Sequence, residues 1–322
     1  MNKNRITEEE ALELHAGGRP GKLEIRATKP LTTVEQTIEI VGSVDGEESR
    51  VLDRPFGHAG EHGSGSELDE GRDRLVDDDP KGPARHSGKG RLQLVEAELD
   101  ENPRFPRELF LKAGELGFFG MRYPEPEGTD AGTTAYALAV EELAWGDLAV
   151  AAALCMQSLM GTKFLHMLGN DDIRERLFLP ALKGEKIGAI CMTEPNAGSD
   201  LGGISTHAKK VDGGYRLNGQ KMWGTSAPVA DFFTVFARSG DENLLTIFLV
   251  EKDFAGLDVG RAIDKMGVWA LPTSELSLAD CFVPDTHRLS EEEGDGETHL
   301  RRLLAEIRII TGAMALGGRS EE

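Results

Sequence analysis

Apolar positions divide the chain into stretches of different period. Over residues 1–90 they are sparse and poorly patterned, and residues 57–90 are dominated by Gly, Ser, Asp and His. That composition offers too little apolar surface to offset the entropy of ordering a backbone, so a flexible linker is predicted there. Ordered pattern begins near Arg91. Leu92, Leu94, Val95 and Leu99 make one short amphipathic segment, and Leu109, Phe110, Leu111 and Leu116 make another. Gly117, Pro124, Pro126, Gly128 and Gly132 then break the chain, because proline lacks the helical donor and glycine disfavours helix. Residues 136–145 and 147–168 follow as alanine-rich apolar helices, and a further helix is expected over 171–182. A helical bundle over 91–186 results.

The period changes at Lys186. Residues 187–192, 206–211, 215–217, 231–237, 244–250 and 276–283 are short runs rich in β-branched or aromatic side chains, and they read as strands. Asp212-Gly213-Gly214 and Asn218-Gly219 supply turn chemistry between them. Leu300, Leu303, Leu304, Ile307, Ile310, Thr311 and Met314 return to helical spacing, which Gly317-Gly318 is expected to end. The fold class is α+β: an N-terminal extension and linker (1–90), an α-helical bundle (91–186), an antiparallel β-barrel-like domain (187–285), then a linker and a single helix (286–322).

Charge narrows the classes of partner. A formal net charge of −20 leaves no broad basic surface for nucleic acid or anionic membranes, so an anionic ligand needs a local site. Cys155, Cys191 and Cys281 are far apart in apolar surroundings, which predicts buried thiols rather than disulfides or a zinc site. His58 and His62 stand four apart, but the glycines around them oppose a helix, and no metal is assigned. The first residues lack an apolar leader and no uninterrupted apolar run reaches membrane-spanning length, so a cytoplasmic protein without a transmembrane segment is expected.

The chemistry concentrates in Met192-Thr193-Glu194-Pro195-Asn196-Ala197-Gly198-Ser199-Asp200, a strand running into a loop of small residues. Such a loop lets backbone N–H groups and hydroxyls approach a ligand, although Gly198-Ser199 taken alone is more often an ordinary turn than an anion or flavin cradle. Three more blocks follow in order: Leu217-Asn218-Gly219-Gln220-Lys221-Met222-Trp223, Val250-Glu251-Lys252 and Asp264-Lys265-Met266-Gly267. Together with Phe105-Pro106-Arg107-Glu108-Leu109, Gly117-Phe118-Phe119-Gly120, Tyr123-Pro124-Glu125 and Glu141-Glu142-Leu143-Ala144 upstream, they make residues 91–316 resemble the acyl-CoA dehydrogenases.

The resemblance implies an FAD enzyme that removes two hydrogens across Cα and Cβ of an acyl-CoA thioester. It also implies an electron-transferring flavoprotein or similar acceptor and a homo-oligomer. Carried onto this sequence, Met192 and Thr193 would meet the flavin ring, Gly198 and Ser199 the pyrophosphate or the ligand loop. Trp223 would cover one face of the isoalloxazine and Thr225 would bond near N5; the competing reading makes Trp223 a core aromatic after a hairpin. Ile190 replaces an aromatic residue found in some relatives, and Gly224-Thr225-Ser226-Ala227 replaces the commoner Ile-Thr-Asn-Gly, keeping the Thr.

Removing a Cα proton needs a base. In most relatives that Glu lies late in a C-terminal four-helix bundle, of which this chain resembles only the first helix. In a minority it directly precedes an Arg matching Arg308, where this chain has Ile307, so no catalytic residue is identified. Glu306 is one helical step away, about 100° around, and is expected at the surface. Leu303, Ile307 and Ile310 are expected to lie on an uncovered apolar face. Two other readings remain: a non-catalytic flavin- or acyl-thioester-binding subunit that borrows helices from a partner, and a malic-enzyme-related protein. The last rests on residues 6–33, which resemble the N-terminal opening of bacterial malic enzymes but stop before that family's catalytic segments.

Overall fold

The computed structural model describes residues 101–319 throughout, with Leu99 and the backbone of three strands nearer the N-terminus. These strands, β1 (Gly21–Ala27), β2 (Thr37–Val44) and β3 (Glu47–Pro55), form an antiparallel sheet in sequence order. The sequence reading assigned them no structure. Their signal is the two-residue alternation of Leu23 and Ile25 with Lys22, Glu24 and Arg26, too short to stand out in a poorly patterned region. The linker at 57–90, the segment at 91–98, and His58 and His62 lie outside the described residues. So does the malic-enzyme-like stretch, except for the β1 backbone.

Helix α1 (Arg107–Glu115) buries Leu109, Phe110 and Ala113, and the Phe110 ring meets Phe119 at 4.7 Å. Helices α2 (Gly132–Gly146) and α3 (Leu148–Met156) are separated by Asp147, whose carboxylate accepts from Val150 N at 2.9 Å and caps α3. A wide π turn at Gln157–Gly161 passes into α4 (Lys163–Leu168). A second π turn at Arg174–Phe178 joins α5 (Asp171–Ile173) to α6 (Leu179–Leu182). Taken through its π turn, Leu148–Leu168 is by length and composition alone apolar enough to cross a membrane, although Gln157, Thr162 and Lys163 interrupt the run. Two thirds of it (67%) is buried inside the fold, where an all-round apolar helix belongs in a helical core.

The second sheet joins β4 (Gly188–Cys191), β5 (His207–Val211), β6 (Gly214–Thr225), β7 (Phe232–Ser239), β8 (Leu244–Glu251), β9 (Leu257–Val259) and β10 (Thr273–Pro284). Its order is β4-β7-β5-β6-β10-β9, with β8 on β7. Most pairs are antiparallel, as predicted, but β4 and β5 both run parallel to β7, since no hairpin joins either of them to it and fixes its direction. Strand β6 continues through Asn218-Gly219, which the sequence reading made a turn. Gly219 sits at φ +155° there, and a Cβ would overlap the Thr206 side chain, so the position takes a glycine.

The last helix, α7 (Gly296–Arg319), packs along α2 and buries Leu303 and Ile310, while Ile307 is half-buried. Those residues are therefore covered, and the apolar side chains left in solvent are Ile309 and Leu316, each 58% exposed. Gly317-Gly318 does not end the helix. Gly317 is buried where a Cβ would strike the Glu141 carbonyl of α2, so this glycine serves close helix packing rather than termination.

Candidate active site

Strand β4 ends at Cys191 and delivers Met192 and Thr193, both half-buried, to the rim of the sheet. The Thr193 carbonyl accepts from Met222 N at 2.8 Å, which ties the end of β4 to β6. Met192, Thr193, Trp223 and Thr225 thus gather where two strands meet. Thr225 pairs with Thr273 of β10, and Ser226 N donates to Pro272 O at 2.8 Å, closing the far side. Trp223 is 55% exposed and holds a left-handed backbone at φ +59°. A bulky aromatic side chain adopts that conformation only under an external constraint, and here the strand turns its ring outward instead of into the core. Gly198 and Ser199 stand apart, exposed on the loop between, with open space beside Gly198.

That loop is pinned from beneath by residues the sequence reading did not single out. Glu194 pairs with Ala197 across the turn and turns its carboxylate into the protein. Ser205 N (2.8 Å), Ser205 Oγ (2.7 Å), Thr206 N (2.9 Å) and Lys221 Nζ (2.7 Å) all donate to it. Burial favours the protonated acid, but the donors from Lys221, Thr206 and Ser205 prevail and hold the Glu194 pKa at about 2. Burial lowers the Lys221 pKa, and Glu194 offsets part of the drop. Both residues lie in quoted motifs, and their opposite charges beside apolar strand positions were the available signal.

A second charged cluster corrects the placing of Glu306. It is not at the open surface: it accepts from Arg122 Nη1 at 2.6 Å and from Lys163 Nζ at 3.0 Å, across the junction of α7 with the helical bundle. The 100° step away from Ile307 carries it onto α4 instead of into solvent. Cys155, Cys191 and Cys281 are buried free thiols, as predicted. Burial pushes the first two to about 12 and the third to about 11.

An outward-facing Trp, a Met and two Thr side chains on one strand junction suit a flat heteroaromatic ring with polar edges. The descriptions "Acyl-CoA dehydrogenase, N-terminal domain" and "Acyl-CoA dehydrogenase, middle domain" match residues 84–185 and 189–281, together more than half of the chain. The chain belongs to the acyl-CoA dehydrogenase family. It is 68% identical over 228 residues to the benzylmalonyl-CoA dehydrogenase of Aromatoleum aromaticum, covering 70% of this chain and 60% of that one. Butyryl-CoA dehydrogenase from Megasphaera elsdenii superposes with a TM-score of 0.65 at 34% identity, over 70% of this chain and 61% of that structure. PigA with FAD and proline gives 0.67 at 28%, over 70% and 61%. The chain therefore spans about three fifths of the length of the relatives it matches. Both PigA structures that the chain resembles are complexes with FAD.

Proposed function

We propose that this chain carries the flavin- and thioester-binding part of an FAD-dependent acyl-CoA dehydrogenase. The supporting observation is the junction of β4 with β6, where Met192, Thr193, Trp223 and Thr225 share one rim. FAD, when bound, supplies the acceptor for the hydride leaving Cβ. On this reading Thr193 and Thr225 offer hydroxyl or N–H donors to the polar edges of the ring, and Trp223 screens one face from water. Gly198 and Ser199 lie on the loop assigned to the pyrophosphate, where the lack of neighbours around Gly198 leaves room for close backbone approach.

The substrate class we infer is an acyl-CoA whose acyl part bears an aromatic ring and a free carboxylate, the chemistry in the name of the relative that is 68% identical. An electron-transferring flavoprotein as acceptor, a homo-oligomer and a cytoplasmic location complete the proposal. The malic-enzyme resemblance adds no activity to it. The second reading is a flavin- or acyl-thioester-binding subunit that borrows helices from a partner; Ile307 cannot take a proton, so position 307 itself supplies no base.

The deciding experiment is an anaerobic visible spectrum of the purified chain with FAD, before and after benzylmalonyl-CoA. Flavin absorbance that bleaches supports the dehydrogenase; retained flavin that does not bleach supports the subunit. A chain that never retains FAD ends both.

A further inference from the structure

The four side chains on the rim, Met192, Thr193, Trp223 and Thr225, carry no charge, and the chain around them has a formal net charge of −20. A ring that takes up a hydride without a proton becomes an anion, so a rim suited to that product needs a positive group in contact with it. Lys221 is such a group. Its side chain is 0% exposed, and its Nζ donates to the Met192 carbonyl at 3.4 Å as well as to Glu194 Oε1 at 2.7 Å. Glu194 shares its charge with three further donors, Ser205 N, Ser205 Oγ and Thr206 N. Of the buried pair, the ammonium is the member whose charged group bonds the backbone of the rim.

The contact at Met192 reaches Thr193 through a single peptide unit. The carbonyl of Met192 and the N–H of Thr193 belong to one trans amide, in which the two bonds point in opposite directions. With the carbonyl turned onto Lys221, the Thr193 N–H points away from it. Among the described residues neither that N–H nor the Thr193 hydroxyl has a hydrogen-bond partner. The donor is nevertheless fixed, because the Thr193 carbonyl accepts from Met222 N at 2.8 Å on one side and the next residue, Glu194, is bonded through its carboxylate. A cation on an amide oxygen draws electron density from the nitrogen and strengthens its N–H as a donor, as hydrogen bonds in series polarise one another inside a protein.

We propose that Lys221 is a positioning residue for the reduced ring: its ammonium polarises the Met192–Thr193 amide, so that the Thr193 N–H favours the anionic form of the flavin over the oxidised one. This rests on the flavin reading above. Glu194 keeps Lys221 charged in an interior where burial favours the neutral amine. The oxidised ring carries no negative charge at that edge and gains much less from the polarised donor, so the effect falls on reduction and not on retention of the cofactor.

The test measures the affinity of the full chain for oxidised FAD and, anaerobically, for FAD reduced beforehand with dithionite. The double variant Glu194→Gln with Lys221→Met removes the ammonium without stranding its partner. Oxidised FAD is expected to bind it within about threefold of the parent, and the ratio of reduced to oxidised affinity to fall about tenfold, equivalent to a drop of about 30 mV in a two-electron potential. Thr193→Val keeps the ion pair and the N–H and removes only the hydroxyl, so it should hold that ratio within about twofold. A purely structural strut lowers both affinities together in the double variant, and that result overturns the proposal. So does a ratio that is unchanged in the double variant, or one that collapses in Thr193→Val and so belongs to the hydroxyl. Thr193→Val leaves the buried pair intact and stays decisive should the double variant fail to fold. If the unaltered chain retains neither form of FAD, the flavin reading falls and takes this one with it, a failure that shows before any variant is made.

Discussion

Lys221 and Glu194 meet at 2.7 Å with side chains 0% and 3% exposed, and this pair joins the two sequence blocks that frame the candidate flavin rim. Removing one partner strands the other charge in the interior. Glu194→Gln is expected to cost about 3–5 kcal/mol in denaturant unfolding and to abolish flavin retention. The double variant Glu194→Gln with Lys221→Met should recover much of that stability, because two neutral groups carry no such penalty. A single variant within about 0.5 kcal/mol of the parent would contradict the assignment.

The same pair sets part of the acid response. The Glu194 pKa in the folded chain, about 2, lies below its ordinary value of 4.5. A depressed carboxylate contributes stability that is present above its unfolded pKa and is lost as pH falls through the folded one. Stability should therefore decline between about pH 4.5 and 2, and Glu194→Gln should flatten that slope. Unfolding curves taken at intervals across the window measure it; an unchanged slope in the variant would exclude Glu194 as the source.

Trp223 sits at φ +59° and is 55% exposed. Trp223→Gly should relieve about 1 kcal/mol of backbone strain while losing little packing, so the melting temperature holds or rises. FAD affinity should fall about two- to tenfold through the lost aromatic contact. A core role for the ring predicts the reverse, a large loss of stability that precedes any change in flavin binding.

Gly317 and Gly312 lie on one helix in different surroundings: a Cβ at Gly317 meets the α2 backbone, whereas nothing lies within 4 Å of one at Gly312. Gly317→Ala should destabilise by about 1–3 kcal/mol through overpacking. Gly312→Ala should stabilise by up to about 1 kcal/mol through helix propensity alone. Thermal denaturation of the two variants side by side checks both signs.

Gln157 clamps the π turn to its surroundings with three bonds: Nε2 to Ala181 O (3.0 Å) and Lys186 O (2.8 Å), and Oε1 from Gly188 N (3.0 Å). Gln157→Leu keeps the bulk but leaves three backbone groups unmet, at a cost of about 3 kcal/mol or more. Amide exchange at Gly188 should accelerate first; protection there equal to that of the parent would show that Gln157 does not hold the turn to β4.

The sequence by itself determined the change from helical to strand period near Lys186, the burial of the three thiols and the motif order that marks the family, because each is written in local spacing. It could not supply what depends on neighbours far along the chain. The direction of β4 against β7, the passage of β6 through Asn218-Gly219 and the close approach made at Gly317 are set by packing against elements tens to hundreds of residues away. Glu306 shows the difference most directly. Helical geometry turned it away from Ile307, as the sequence said, but only the packed bundle placed Arg122 and Lys163, 184 and 143 residues earlier, on the side to which it turned.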